Sequence, residues 1–113
     1  MGQYVISFNQ QWVGDHSEQW FSQRGPLARA VVDEMREAGV LVFAGGLDED
    51  RDSAFHVDPT SGTVTFHEGP FPSDGQYMGG LTIVDVADRD AARFWAAKVA
   101  EACGWPQEVR AVV

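Results

Sequence analysis

Three histidines, a scatter of carboxylates and four tryptophans are the groups in this chain that could move a proton or grip a ligand. His16 directly follows Asp15, with Trp12 and Trp20 close in sequence. An imidazole oriented by a carboxylate and enclosed by indole rings suits proton transfer on a planar compound. The plainer use of a loop Asp-His pair is to cap the helical segment that follows. His67 directly precedes Glu68, and His56 sits on the apolar stretch before it. On the catalytic reading His16 or His67 carries the proton, Asp15 or Glu68 orients it, and Tyr77 adds a phenolic hydrogen bond. His16, His67 and Glu68 are thus the candidate catalytic groups, with Trp12, Asp15, Trp20, His56 and Tyr77 as candidate ligand contacts.

Metal and cofactor chemistry have less support. His56 and His67 fall on one face of the expected hairpin, but no HxH, HxxxH or CxxC spacing accompanies them, and a metal site needs three or four ligands. No metal site is expected. Gly45-Gly46 and Gly79-Gly80 lack the further glycines of a nucleotide-binding loop, so no nucleotide or flavin cofactor is expected either. Cys103, the single cysteine, falls in the last turn of an expected helix, where a packed thiol is the usual finding.

The elements that must position these groups are readable from periodicity. Tyr4, Ile6 and Phe8 alternate as a half-buried strand. Pro26 suits a first helical turn, and Leu27, Val31, Met35 and Ala38 recur at helical spacing before Gly39. Gly25 and Pro26 should separate that helix from a short helical turn over 18–23. Val40 to Ala44 reads as a well-buried strand pairing near the first. Phe55 to Val57 and Val64 to Phe66 flank Asp58-Pro59-Thr60-Ser61-Gly62 and form a hairpin. With Asp58 facing Thr63, Val57 faces Val64, Phe55 faces Phe66 and His56 faces Thr65, leaving His67 one diagonal step from His56, roughly 7–8 Å. Leu81 to Val86 is a strand, Asp88 caps a helix with Ala91, Trp95, Val99 and Ala102 inward, Gly104 and Pro106 stop it, and Val109 to Val113 closes the chain as a strand.

Helices separated by strands with short connections suit an α+β fold: a ferredoxin-like antiparallel sheet with two helices on one face and an inserted β-hairpin, in a single domain over 1–113. The second sheet face then needs covering, and a homodimer is the economical cover. With 8 basic and 17 acidic residues the net charge is −9, which disfavours nucleic acid and anionic membranes as partners. One cysteine and no opening basic-then-apolar segment point to a cytoplasmic protein.

Glu68-Gly69-Pro70-Phe71, followed by Gly79-Gly80 leading into Leu81-Thr82-Ile83-Val84-Asp85-Val86, resembles the signature of the DGPF, or YCII-related, family. Val5-Ile6, the run from Met35 to Leu41, the Ala91 to Ala96 helix and the closing Glu108 to Val112 extend the resemblance over most of the chain. It implies a dimeric α+β barrel with a cleft between the sheet and the helix edges. Some relatives are associated with extracytoplasmic-function sigma factors; others are dechlorinating enzymes or carry a His and Asp pair proposed as acid and base. In those, the His lies early on the first helix and the Asp precedes the glycine ending it. Here 25–39 contains no histidine, Ala28 or a neighbour stands in its place, and Glu37 sits near the carboxylate position. A carboxylate without its imidazole makes no dyad. Glu68 also replaces the usual Asp of the signature.

The leading expectation is a homodimer with a small-molecule-binding cleft. The alternatives are a cofactor-free acid-base lyase or isomerase acting on a small cyclic or aromatic compound, and a regulatory partner of a sigma factor.

Overall fold

A computed structural model describes residues 1–72 and 74–113. Its elements are β1 (Gly2–Asn9), α1 (Glu18–Glu37), β2 (Leu41–Gly46), β3 (Phe55–Asp58), β4 (Thr65–Glu68), β5 (Met78–Val86), α2 (Arg89–Cys103) and β6 (Glu108–Ala111), with single 3-10 turns at Gln10–Trp12 and Arg51–Ser53. Four strands form an antiparallel sheet in the order β2-β5-β1-β6, while β3 and β4 pair as a separate two-stranded sheet. This is the expected ferredoxin-like α+β arrangement with an inserted hairpin. Among the described residues no helix is long and apolar enough to cross a membrane.

Strand alternation builds the core. Ile6 on β1 faces Thr82 on β5, and Tyr4 faces Val84, so one sheet surface carries Tyr4, Ile6, Thr82, Val84 and Val86 toward the helices. Met35 from α1 and Ala92, Ala96 and Val99 from α2 meet that surface. Val99 and Ala102 of α2 are buried as their spacing suggested, but in the first half of the helix the inward positions are Ala92 and Ala96, whereas Ala91 and Trp95 are half-buried at the margin. Small side chains there let the helix lie close on the sheet. Asp88 caps α2 by accepting from the Ala91 N–H at 2.9 Å, and Gly104 ends it in the left-handed region at φ +88°.

The first helix is one continuous element of 20 residues rather than two pieces, with Pro26 inside it. The clash that normally drives the residue before a proline out of the α region involves a Cβ, and Gly25 has none. Pro26 is exposed, as is Ser22, whose carbonyl loses its helical partner there, so that carbonyl can be solvated. Ser17 rather than Asp15 or His16 caps the helix, accepting from the Trp20 N–H at 3.1 Å. Leu27, expected inward, is 47% exposed.

β2 is an edge strand, separated from β1 by β5, and is not well buried: Phe43 is 51% exposed. A register irregularity between Leu41 and Phe43 puts Phe43 opposite Ile83, on the sheet face turned away from the helices, where Val5 and Leu81 also lie. The terminal strand is shorter than expected, with all four residues of β6 exposed at the other edge.

The hairpin register differs from expectation by two residues. Asp58 faces Thr65, Val57 faces Phe66 and His56 faces His67. The cause is local: Asp58 Oδ1 accepts from both the backbone N–H of Thr60 at 2.8 Å and its hydroxyl at 2.6 Å, winding the chain into a longer loop with Gly62 at φ +93°. A shift of two preserves the faces, so Phe55, Val57 and Phe66 still share one surface and both histidines the other.

Candidate functional site

A cleft of about 530 Å³ lies between α1 and the sheet. Its floor is Phe8 of β1, Thr82 of β5 and the Ala44–Gly46 end of β2. Gly79 and Gly80 shape that floor, because a Cβ at either would come within 3 Å of the Phe8 ring. Gly25, Ala28, Arg29, Val32, Asp33 and Arg36 form the helix wall, recurring every three to four residues as one face of α1. Val99 and Cys103 of α2 close the back, and Gln107, just before β6, closes the end beside Phe8.

Charge on the wall is unevenly matched. Arg36 is held by Asp33 at 2.7 Å, an exposed pair of little energetic weight. Arg29, by contrast, has no hydrogen-bond or ion-pair partner among the described residues, and its guanidinium lies back over Gly25, with Nη1 3.3 Å from where a Cβ would stand. Gln107 Nε2 is buried without a hydrogen-bond partner among the described residues, as is Trp105 Nε1, whose ring packs on Phe8 at 5.1 Å. Burial pushes the Cys103 thiol above its ordinary value of 9.0, against a smaller opposing effect of the Arg24 charge, so the cleft's thiol is protonated at neutral pH. A large apolar floor with a few directed donors is suited to holding a small organic molecule.

The residues singled out from sequence lie elsewhere. His16 is exposed and stacks flat on Trp20, with centroids 3.6 Å apart and planes 13° from parallel, and its Nε2 meets the Val13 carbonyl at 3.0 Å. A carbonyl only accepts, so Nε2 carries the proton. Asp15 is exposed and has no partner among the described residues, so nothing couples it to His16. Trp12 is half-buried in the turn after β1, and Trp20 also packs against Phe21 and Trp105. Tyr77 is half-buried under the Arg51 guanidinium at 4.4 Å. His56 and His67 stack across the hairpin at 4.9 Å and 16°, a direct pair rather than a diagonal one. Glu68 is exposed opposite Phe55.

No side-chain hydrogen bond or ring contact joins His16, His67 and Glu68 among the described residues, and none of them lines the cleft. Among the described residues no three His, Cys, Asp or Glu side chains gather to hold a metal. Cys103 is the packed thiol at the end of a helix that its sequence position suggested, whereas Arg29, Asp33 and Gln107 were missed. The recurrence of small and charged residues from Gly25 to Arg36 was the available signal, one face around from the Leu27-Val31-Met35 row.

Residues 22–105 match the profile of the YCII-related domain. The chain belongs to the YCII-related family. No curated protein matches it. The YCII-related match runs from α1 through Trp105, so it covers the helix wall, β2, β5 and α2, while β1 and β6 lie outside it. Ala28 lines the cleft; Glu37 is exposed and does not.

Proposed function

We propose that this YCII-related protein is a homodimer that binds a small, largely apolar organic compound in the cleft between α1 and the sheet. The observation that carries this reading is the cavity itself, whose roughly 530 Å³ falls within the 300–1,000 Å³ typical of small-molecule sites. The homodimer is supported by the sheet face opposite the helices, where Val5, Leu81 and Ile83 are only half-buried and Phe43 is exposed. A lyase or isomerase would have to bring its imidazole from outside this cleft, and the thiol inside it is protonated, so binding rather than turnover is the function the geometry favours.

A fragment screen followed by amide chemical-shift mapping tests the reading. Perturbations are expected at Ala28, Val32, Thr82 and Cys103, and Ala28→Trp, which fills the cavity, is expected to weaken binding at least a hundredfold. Hits that perturb only residues elsewhere, or that bind Ala28→Trp unchanged, would remove the basis for the proposal. Sedimentation of Ile83→Lys against the parent protein tests the dimer, with a monomer as the expected result.

A further inference from the structure

The polar groups of the cleft are few enough to specify what its ligand must carry. The lining crosses the sheet from β2 through β5 and β1 to Gln107 just before β6, three strand steps, or roughly 14 Å at strand spacing. An elongated molecule fits that path better than a compact one. On the wall stands Arg29, a permanent cation with no acidic partner among the described residues, while neighbouring Arg36 is already held by Asp33. At the β6 end, Gln107 Nε2 is buried and donates to nothing among the described residues. A buried donor without an acceptor is costly, and a ligand that supplies the acceptor recovers that cost on binding.

We propose that the cleft selects an elongated carboxylate bearing a second, uncharged hydrogen-bond acceptor on its apolar body: Arg29 meets the carboxylate and the Gln107 amide N–H meets the acceptor. The inference rests on the binding reading above and adds to it the ligand class and two residues that determine specificity. Asp33 sharpens the selection, since its carboxylate offsets the charge of Arg36 and leaves the helix wall with one net positive charge from Arg29, Asp33 and Arg36, matched to a monoanion rather than a dianion. The overall charge of −9 works in the same direction, because a dianion would be repelled more strongly on approach.

Three probes separate the two contacts: 4-acetylbenzoate, 4-ethylbenzoate, which lacks the acceptor, and methyl 4-acetylbenzoate, which lacks the charge. Dissociation constants are measured by calorimetry for the parent protein, Arg29→Gln and Gln107→Met, the last conserving volume. The parent is expected to prefer 4-acetylbenzoate over each of the other two by about tenfold. Gln107→Met should erase the preference over 4-ethylbenzoate alone, and Arg29→Gln the preference over the ester alone. Added salt should shrink only the second preference. Equal affinities for the three probes in the parent protein, or variants that weaken all three alike, overturn the selection proposed and leave the binding reading standing. If none of the probes shifts cleft resonances or slows alkylation of Cys103, and no fragment does so, both proposals fail together.

Discussion

The cleft and the hairpin divide the molecule's features in opposite ways. The hairpin carries two of the histidines, the Glu68-Gly69-Pro70-Phe71 signature and an uncovered apolar face on which Phe66 is 72% exposed. The cleft carries no histidine, yet it has the volume, the unmatched cation and the buried donor. In the hairpin the polar groups satisfy one another. His56 Nδ1 donates to the Gly69 carbonyl at 3.0 Å, the Gly69 N–H donates to Ala54 O at 2.7 Å, and the Phe71 ring sets its edge on His56. Thr65 has one hydroxyl proton, given to Asp58 O at 3.1 Å, so His67 Nε2–H donates to Thr65 Oγ1 at 3.0 Å. A turn whose donors and acceptors are mutually committed holds a shape. Groups left uncommitted inside a cavity are the better guide to where a ligand sits, even when the residue types are less suggestive.

The sharpest way to break this contrast is to damage the cleft floor. Gly80→Val places a Cβ 2.9 Å from the Phe8 ring and 3.1 Å from the Gly45 carbonyl, so a loss of about 2–3 kcal/mol in urea unfolding is expected, together with loss of ligand binding. Gly69→Ala attacks the hairpin instead. With φ at +89° and open space around the missing Cβ, the cost is backbone strain alone, about 1–2 kcal/mol, read as faster amide exchange in β3 and β4 with cleft affinity unchanged. His56→Phe keeps an aromatic ring against Phe71 and removes one hydrogen bond, for about 1 kcal/mol measured the same way. Should either hairpin variant weaken ligand binding tenfold, the two regions are not independent.

Two pH profiles sharpen the same comparison. Cys103 has its pKa raised in the fold, so its stabilising contribution is complete below 9.0 and is lost as pH rises through the folded value. Alkylation by iodoacetamide should therefore be slow at pH 8, accelerating only above 9.0. Asp58 is shifted the other way: the Thr60 hydroxyl and backbone N–H hold its carboxyl below 3.8, with His67 and His56 assisting against slight desolvation. Its contribution is present above 3.8 and disappears as pH falls through the folded value. Thr60→Ala should move the Asp58 titration, followed by NMR, back up toward 3.8, the smallest effect of the set.

Much of the fold could be read from residue patterns because it rests on local chemistry. The β1 alternation, the Asp88 cap, the Gly104 stop and the pairing of the hairpin faces are each decided by a few neighbouring residues. The misreadings arose where two local rules competed. Pro26 argues for a break, but Gly25 removes the Cβ part of the clash that would favour it. Asp58 was read as part of a short loop, whereas its two bonds to Thr60 lengthen the turn and bring His56 directly against His67. The cleft was least legible because it is assembled from distant parts. Nothing near Gln107 in sequence announces Phe8 or Arg29, and the helix face that lines the cavity is marked by small residues, which pattern reading passes over in favour of Leu27 and Met35.

Gly25 joins two roles that a mutating lineage cannot easily separate. Any side chain there would both restore the Cβ conflict with Pro26 and shift the Arg29 guanidinium by a few tenths of an ångström. Helix continuity and the charge presented to a ligand are therefore inherited as one trait. Drift in specificity should proceed through positions 29 and 107 while position 25 stays constrained.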